Sequence, residues 1–74
     1  MVSVIILIRA RVGTIWEACQ SINKIEGVQQ AHAVTGPYDI IAYAELPSTE
    51  DIRRMAKSIH EVEGVTRTET CIGI

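Results

Sequence analysis

The chain has 74 residues, 47% of them hydrophobic and 22% charged, with seven basic and nine acidic side chains and a formal net charge of -2. That is one small domain with enough apolar material for a core, which excludes disorder and a second domain. The acidic balance leaves no basic footprint, so direct nucleic-acid binding by this chain is disfavoured. At this size burial roughly cancels chain entropy, at about 1.5 kcal/mol lost per ordered residue, so a disulfide, a metal or a partner chain must help.

Two of those helpers find little support. Cys19 and Cys71 form no CxxC motif, and Met1 to Ile8 is apolar without a charged n-region. The cysteines read as two small buried apolar residues of a reduced cytoplasmic protein. The apolar start is also too short to span a bilayer. His32 and His60 sit in no ligand spacing, so no metal or other cofactor is expected. A partner chain remains.

Val2 to Arg9 is apolar and β-branched and reads as a strand, broken by Gly13. Thr14 with Glu17 three residues on has the pattern of a capping box. Ile15, Ala18, Cys19, Ile22 and Ile25 then recur at helical spacing, and Gly27 stands where a helix C-cap is expected. Trp16 flanks that stripe and reads either as half-buried core or as a subunit contact. Val28 to Val34 is a second strand.

Gly36-Pro37-Tyr38-Asp39 is a turn by composition, followed by a strand over Ile40 to Ala44 that Pro47 stops. Ser48 reads as the next N-cap, with Glu50 and Asp51 in the first turn. Ile52, Met55, Ala56, Ile59 and Val62 form a helical stripe, Gly64 caps it, and Val65 to Ile74 is the last strand. Both halves contain Ile-x-x-aliphatic-Glu-Gly-Val, at Ile22 to Val28 and at Ile59 to Val65. The chain is a duplicated strand-helix-strand unit.

The order βαββαβ is the ferredoxin-like, α+β arrangement: a four-stranded antiparallel sheet, strand order 4-1-3-2, with both helices on one face. In the first strand Val2, Val4, Ile6 and Ile8 alternate with Ser3, Ile5, Leu7 and Arg9, and both sets are apolar at their centre. The third strand repeats this, with Ile40, Ala42, Ala44 and Leu46 against Asp39, Ile41, Tyr43 and Glu45. Strands apolar on both faces call for a second layer, which a sheet-to-sheet dimer supplies. In the last strand Thr66, Thr68 and Thr70 share one face and Arg67 and Glu69 the other. The threonines read as a solvated edge or as a row of hydroxyls for a small polar ligand.

Three segments resemble one family. Thr35-Gly36-Pro37-Tyr38-Asp39-Ile40 is similar to the T-G-x-[YF]-D-hydrophobic turn of the effector-binding domain of Lrp/AsnC transcription regulators. Gly64-Val65-Thr66-Arg67-Thr68-Glu69-Thr70 resembles that family's final G-V-x-x-T-x-T strand, and Ile25 to Val28 its helix-to-strand passage. Full-length members carry an N-terminal helix-turn-helix domain, whereas here the first strand begins at residue 2. The resemblance therefore implies a single stand-alone effector domain over residues 1–74, of the type called RAM (regulation of amino-acid metabolism). It further implies dimers that assemble onward, often into octameric rings, and an amino acid bound between neighbouring subunits.

The turn chemistry suits that role. Gly36 lets backbone approach a ligand, Asp39 can accept hydrogen bonds from an α-ammonium group, and Tyr38 can cover an aliphatic side chain. Thr68 and Thr70 supply hydroxyls from the same or a neighbouring chain. Asp39 equally serves as a turn residue bonding backbone. The expected function is an amino-acid-sensing and oligomerising module in transcriptional or metabolic regulation, acting by co-assembly with full-length regulators. Two other readings stay open: a structural oligomer without ligand, and a small dimeric enzyme using His32, His60, Glu45 or Tyr43. For the enzyme no nucleophile–base pair or metal spacing is evident, so no catalytic residue is assigned.

Overall fold

The structure, a computed structural model, describes residues 1–74. Its elements are β1 (Val2–Ala10), α1 (Ile15–Asn23), β2 (Val28–Ala33), β3 (Ile40–Leu46), α2 (Glu50–His60) and β4 (Val65–Ile72). The strands form one antiparallel sheet in the order β2-β3-β1-β4. This is the ferredoxin-like topology expected from the element order, with β1 and β3 central.

The two alternating sets of β1 are told apart by burial. Val4, Ile6 and Ile8 are fully buried under the helices, with Ile40, Ala42 and Ala44 beside them on β3. From α1 come Ala18, Cys19 and Ile22, and from α2 Ile52, Met55 and Ile59. Small alanines at the sheet centre let the helices approach, and the isoleucines fill the space between them. Ile5 and Ile41 lie on the other face, where they remain 45% and 37% exposed.

Several local expectations are corrected. Thr14 precedes α1 with φ -114° and ψ 0°, so its side chain is not poised over the first amides. Its hydroxyl instead donates to the carbonyl of Arg11 at 2.7 Å, and no capping box forms. Ser48 is not the N-cap of α2; Thr49 is, without a side-chain bond, and the Ser48 hydroxyl donates to Asp51 Oδ2 at 3.1 Å. The helices end at Lys24 and Glu61, so Gly27 and Gly64 cap neither. Each sits, at φ 95° and 96°, in a following turn closed by Val28 N–H to the Ile25 carbonyl and by Val65 N–H to the Val62 carbonyl.

Other departures concern strand ends and exposure. β3 runs on to Leu46 because its pairing with β1 continues to Val2, and β4 stops at Ile72. Cys71 is exposed on the sheet face away from the helices rather than buried; both cysteines are free. Trp16 is 74% exposed and fills no core within the chain. Cys19 is buried as expected; burial raises its thiol pKa, and the thiol donates to the Ala31 carbonyl.

Candidate functional site

Asp39 makes three hydrogen bonds, two of which bind the turn between β2 and β3 to the end of β1 while the third closes the turn itself. Its N–H donates to the Ile8 carbonyl at 2.9 Å, and its carbonyl accepts from Val34 N–H at 2.9 Å. Its carboxylate oxygen Oδ2 accepts from Ala10 N–H at 2.8 Å. Ala10 lies where the register of β1 against β4 shifts, after Arg9, and the local ladder is irregular there. Asp39 thus satisfies a donor that the irregular ladder leaves free. The other carboxylate oxygen has no partner within the chain. Gly36, at φ 131°, has open space on its side-chain side.

Tyr38 reaches from this turn to edge strand β4, where its hydroxyl donates to Glu69 Oε1. Glu69 also receives Arg67 Nη2 at 3.4 Å. The bond to Glu69 raises the Tyr38 phenol above its ordinary pKa, because only the protonated hydroxyl can donate; desolvation and the Glu69 charge act the same way.

Strand register decides which candidates meet. Glu69 stands opposite Leu7, on the open face. Thr68 and Thr70 stand opposite Ile8 and Ile6, on the face turned to the helices. Within one chain the two threonines therefore lie across the sheet from the Tyr38–Glu69 contact and do not join Gly36, Tyr38 and Asp39. The sequence reading missed Glu69 and the Ala10 amide as partners of the turn. The alternation of threonines with Arg67 and Glu69 already separated two faces of β4, but not which face Tyr38 would reach.

The open face has an apolar centre and a polar border. Ile5, Leu7 and Ile41 occupy the middle. Around them Tyr43 donates to Glu45 Oε2 at 2.6 Å, and His32 Nε2 lies 3.0 Å from Gln30 Oε1. His60 ends α2, so the acid–base groups weighed for catalysis are not gathered at one place. No three His, Cys, Asp or Glu side chains come together as a metal cluster. No helix is long and apolar enough to cross a membrane.

Residues 3–74 match the family model of the Lrp/AsnC ligand binding domain. The chain belongs to that family. Among curated relatives, an uncharacterised HTH-type transcriptional regulator of Pyrococcus furiosus is 39% identical over 70 residues, covering 95% of this chain and 47% of the relative. A second, from Pyrococcus abyssi, is 36% identical over 63 residues, covering 85% of this chain and 43% of the relative. The Lrp/AsnC chain thus spans about half the length of the curated relatives it matches. A crystal structure from Thermus thermophilus superposes with TM-score 0.95 at 32% identity, covering 100% of this chain and 94% of that one. Escherichia coli AsnC shares the fold, with TM-score 0.88 at 21% identity over 99% of this chain and 50% of that one. The Lrp/AsnC family is one of transcription regulators, and this chain is its ligand-binding type of domain.

Proposed function

We propose that this Lrp/AsnC domain senses a free amino acid at an interface between copies of itself and regulates transcription or amino-acid metabolism through its assembly. The observation that carries this is the open sheet face. Its apolar centre at Ile5, Leu7 and Ile41 has a polar border and adjoins the turn of Gly36, Tyr38 and Asp39. Two such faces packed together bury the patch that one chain leaves in water.

Under this reading the effector lies at Gly36, Tyr38 and Asp39. The free Asp39 oxygen takes the α-ammonium group, and open space beside Gly36 admits the α-carboxylate to turn amides. Thr68 and Thr70, turned to the helix side of β4, would reach the turn only from a neighbouring chain outside the face-to-face pair. Residues 1–74 act as one effector domain in the cytoplasm, and the βαββαβ unit occupies nearly all of them. DNA reading then comes from outside these residues, for example by co-assembly with full-length regulators. A regulator of the same fold from Neisseria meningitidis, 17% identical with TM-score 0.85, was solved as an L-Met complex. L-Met is accordingly the first amino acid to test.

One contact favours a second reading, a structural oligomer without effector: Asp39 already serves the Ala10 amide. Native mass spectrometry with and without amino acids, L-Met first, separates the two. Added ligand mass on an assembled species supports sensing; no added mass with any of the twenty supports the structural reading. Asp39→Asn is the informative variant, because an amide oxygen still accepts from Ala10 while the charge is gone. A charged hydrogen bond contributes about 1.5–3 kcal/mol, so the variant should bind about one to two orders of magnitude more weakly.

A further inference from the structure

The charges of the chain are unevenly spread. All nine acidic residues lie outside Ile52 to His60, whereas three of the seven basic ones, Arg53, Arg54 and Lys57, lie within it. That stretch is most of α2, whose buried side is Ile52, Met55 and Ile59. Arg53, Arg54, Lys57 and His60 are all exposed, on the side turned away from the core. At about 100° per residue, Arg53, Lys57 and His60 fall within about 60° of one another around the helix, with Arg54 beside Lys57. They form a basic stripe about 10 Å long on a chain whose net charge is -2.

Stability of the helix itself does not account for the stripe. Glu50 with Arg54, and Lys57 with Glu61, have the i, i+4 spacing of helical ion pairs. Neither pair forms; the one ion pair of the chain is Arg67 with Glu69. Arg53 lies in the first turn of α2, the end at which the helix dipole favours anions. The donors of the stripe thus face water with no carboxylate partner in the chain.

We infer that this face of α2 docks a short acidic segment of another protein, one that carries Asp or Glu side chains about one helical turn apart. Charge of the opposite sign is what the stripe recognises. Beside Lys57 and His60 the surface sinks into a hollow of about 410 Å³, bounded also by Ala56, Glu61 and Thr68, with room for one such side chain. The length of the stripe speaks against a nucleic acid. A duplex presents one charge per about 1.7 Å of its axis. Its line of phosphates would run on into Glu50 and Asp51 at one end of α2 and Glu61 and Glu63 at the other. A segment with a few carboxylates ends before it meets them. The stripe lies on the helix side of the molecule, away from Ile5 and Ile41, so docking requires neither face-to-face packing nor an effector.

Fluorescence anisotropy with a labelled poly-glutamate peptide tests the site. The peptide should bind at low salt and weaken as salt is added, because the Debye length falls from about 30 Å at 0.01 M to about 8 Å at 0.15 M. Arg53→Gln combined with Lys57→Gln should bind about fivefold more weakly, the loss of two exposed charge pairs. Arg11→Gln combined with Lys24→Gln removes the same net charge elsewhere on the surface and should bind as wild type. Glutamine suits an exposed helix position, so the α2 variant should keep the fold by circular dichroism and the subunit number by sedimentation.

Absence of peptide binding to the wild type at low salt, or an equal loss in both double variants, overturns the site. A random DNA duplex that binds more tightly than the peptide, and is lost with Arg53 and Lys57, overturns the acidic segment in favour of nucleic acid. A subunit number that falls in the α2 variant overturns it in favour of a contact between copies.

Discussion

The hydroxyl of Tyr38 donates to the carboxylate of Glu69, tying the β2–β3 turn to the far edge strand of the sheet. The two residues are 31 positions apart in sequence, and the bond crosses the end of β1. It couples the proposed effector turn to the strand that carries Arg67, Thr68 and Thr70, so a ligand that displaces Tyr38 also releases Glu69.

Tyr38→Phe should lower the melting temperature and leave the fold unchanged by circular dichroism. The phenol pKa is raised in the folded state, so the contribution is complete below the ordinary phenol value of about 10 and is lost as pH rises through the raised value. The gap in melting temperature between wild type and Tyr38→Phe should be constant at neutral pH and close at strongly alkaline pH. A gap that persists after tyrosine ionisation, followed by ultraviolet absorbance, would contradict the bond's role.

Asp39→Ala should destabilise the chain by about 1–3 kcal/mol, because Ala10 N–H loses its acceptor in a partly buried place. Asp39→Asn should cost less. Urea unfolding of the two variants measures the difference; equal stability of Asp39→Ala and wild type would show that water replaces the carboxylate freely.

Ile5→Lys and Ile6→Lys differ by one position and should differ in kind. Ile6 is 1% exposed beneath the helices, and a buried ammonium there should abolish folding. Ile5 lies on the open face, so its lysine variant should fold yet sediment as a smaller species than wild type. A wild-type chain that sediments as a folded monomer at micromolar concentration would remove the face-to-face contact.

Gly64→Ala should be more damaging than Gly13→Ala. Both glycines have positive φ, so each alanine carries a backbone penalty of about 1–2 kcal/mol. At Gly13 the new methyl meets open space, but at Gly64 it would come within 2.7 Å of Thr14 Cβ. Thr14→Gly combined with Gly64→Ala should recover part of the loss in urea midpoint. Equal midpoints for the two single variants would show that the Thr14 turn yields.

Much of the architecture is legible in the residues alone. The duplicated Ile-x-x-aliphatic-Glu-Gly-Val segments, the period-two runs and the two helical stripes determine the order βαββαβ, because local hydrophobic period and turn chemistry act over a few residues. The same periods place Ile5 and Ile6 on opposite faces of β1 and Thr68 opposite in sense to Glu69. Parity is as far as a strand's own pattern reaches. Both sets in β1 are apolar, so only packing against α1 and α2 decided that Ile6 is core and Ile5 is surface. The caps expected at Thr14 and Ser48 failed for a related reason: their side chains found acceptors at Arg11 and Asp51 once the loops took shape. Asp39 with Ala10 and Tyr38 with Glu69 are partners 29 and 31 residues apart, chosen by strand order and register. A contact of that kind exists only once β1 lies between β3 and β4, and so it belongs to the tertiary structure.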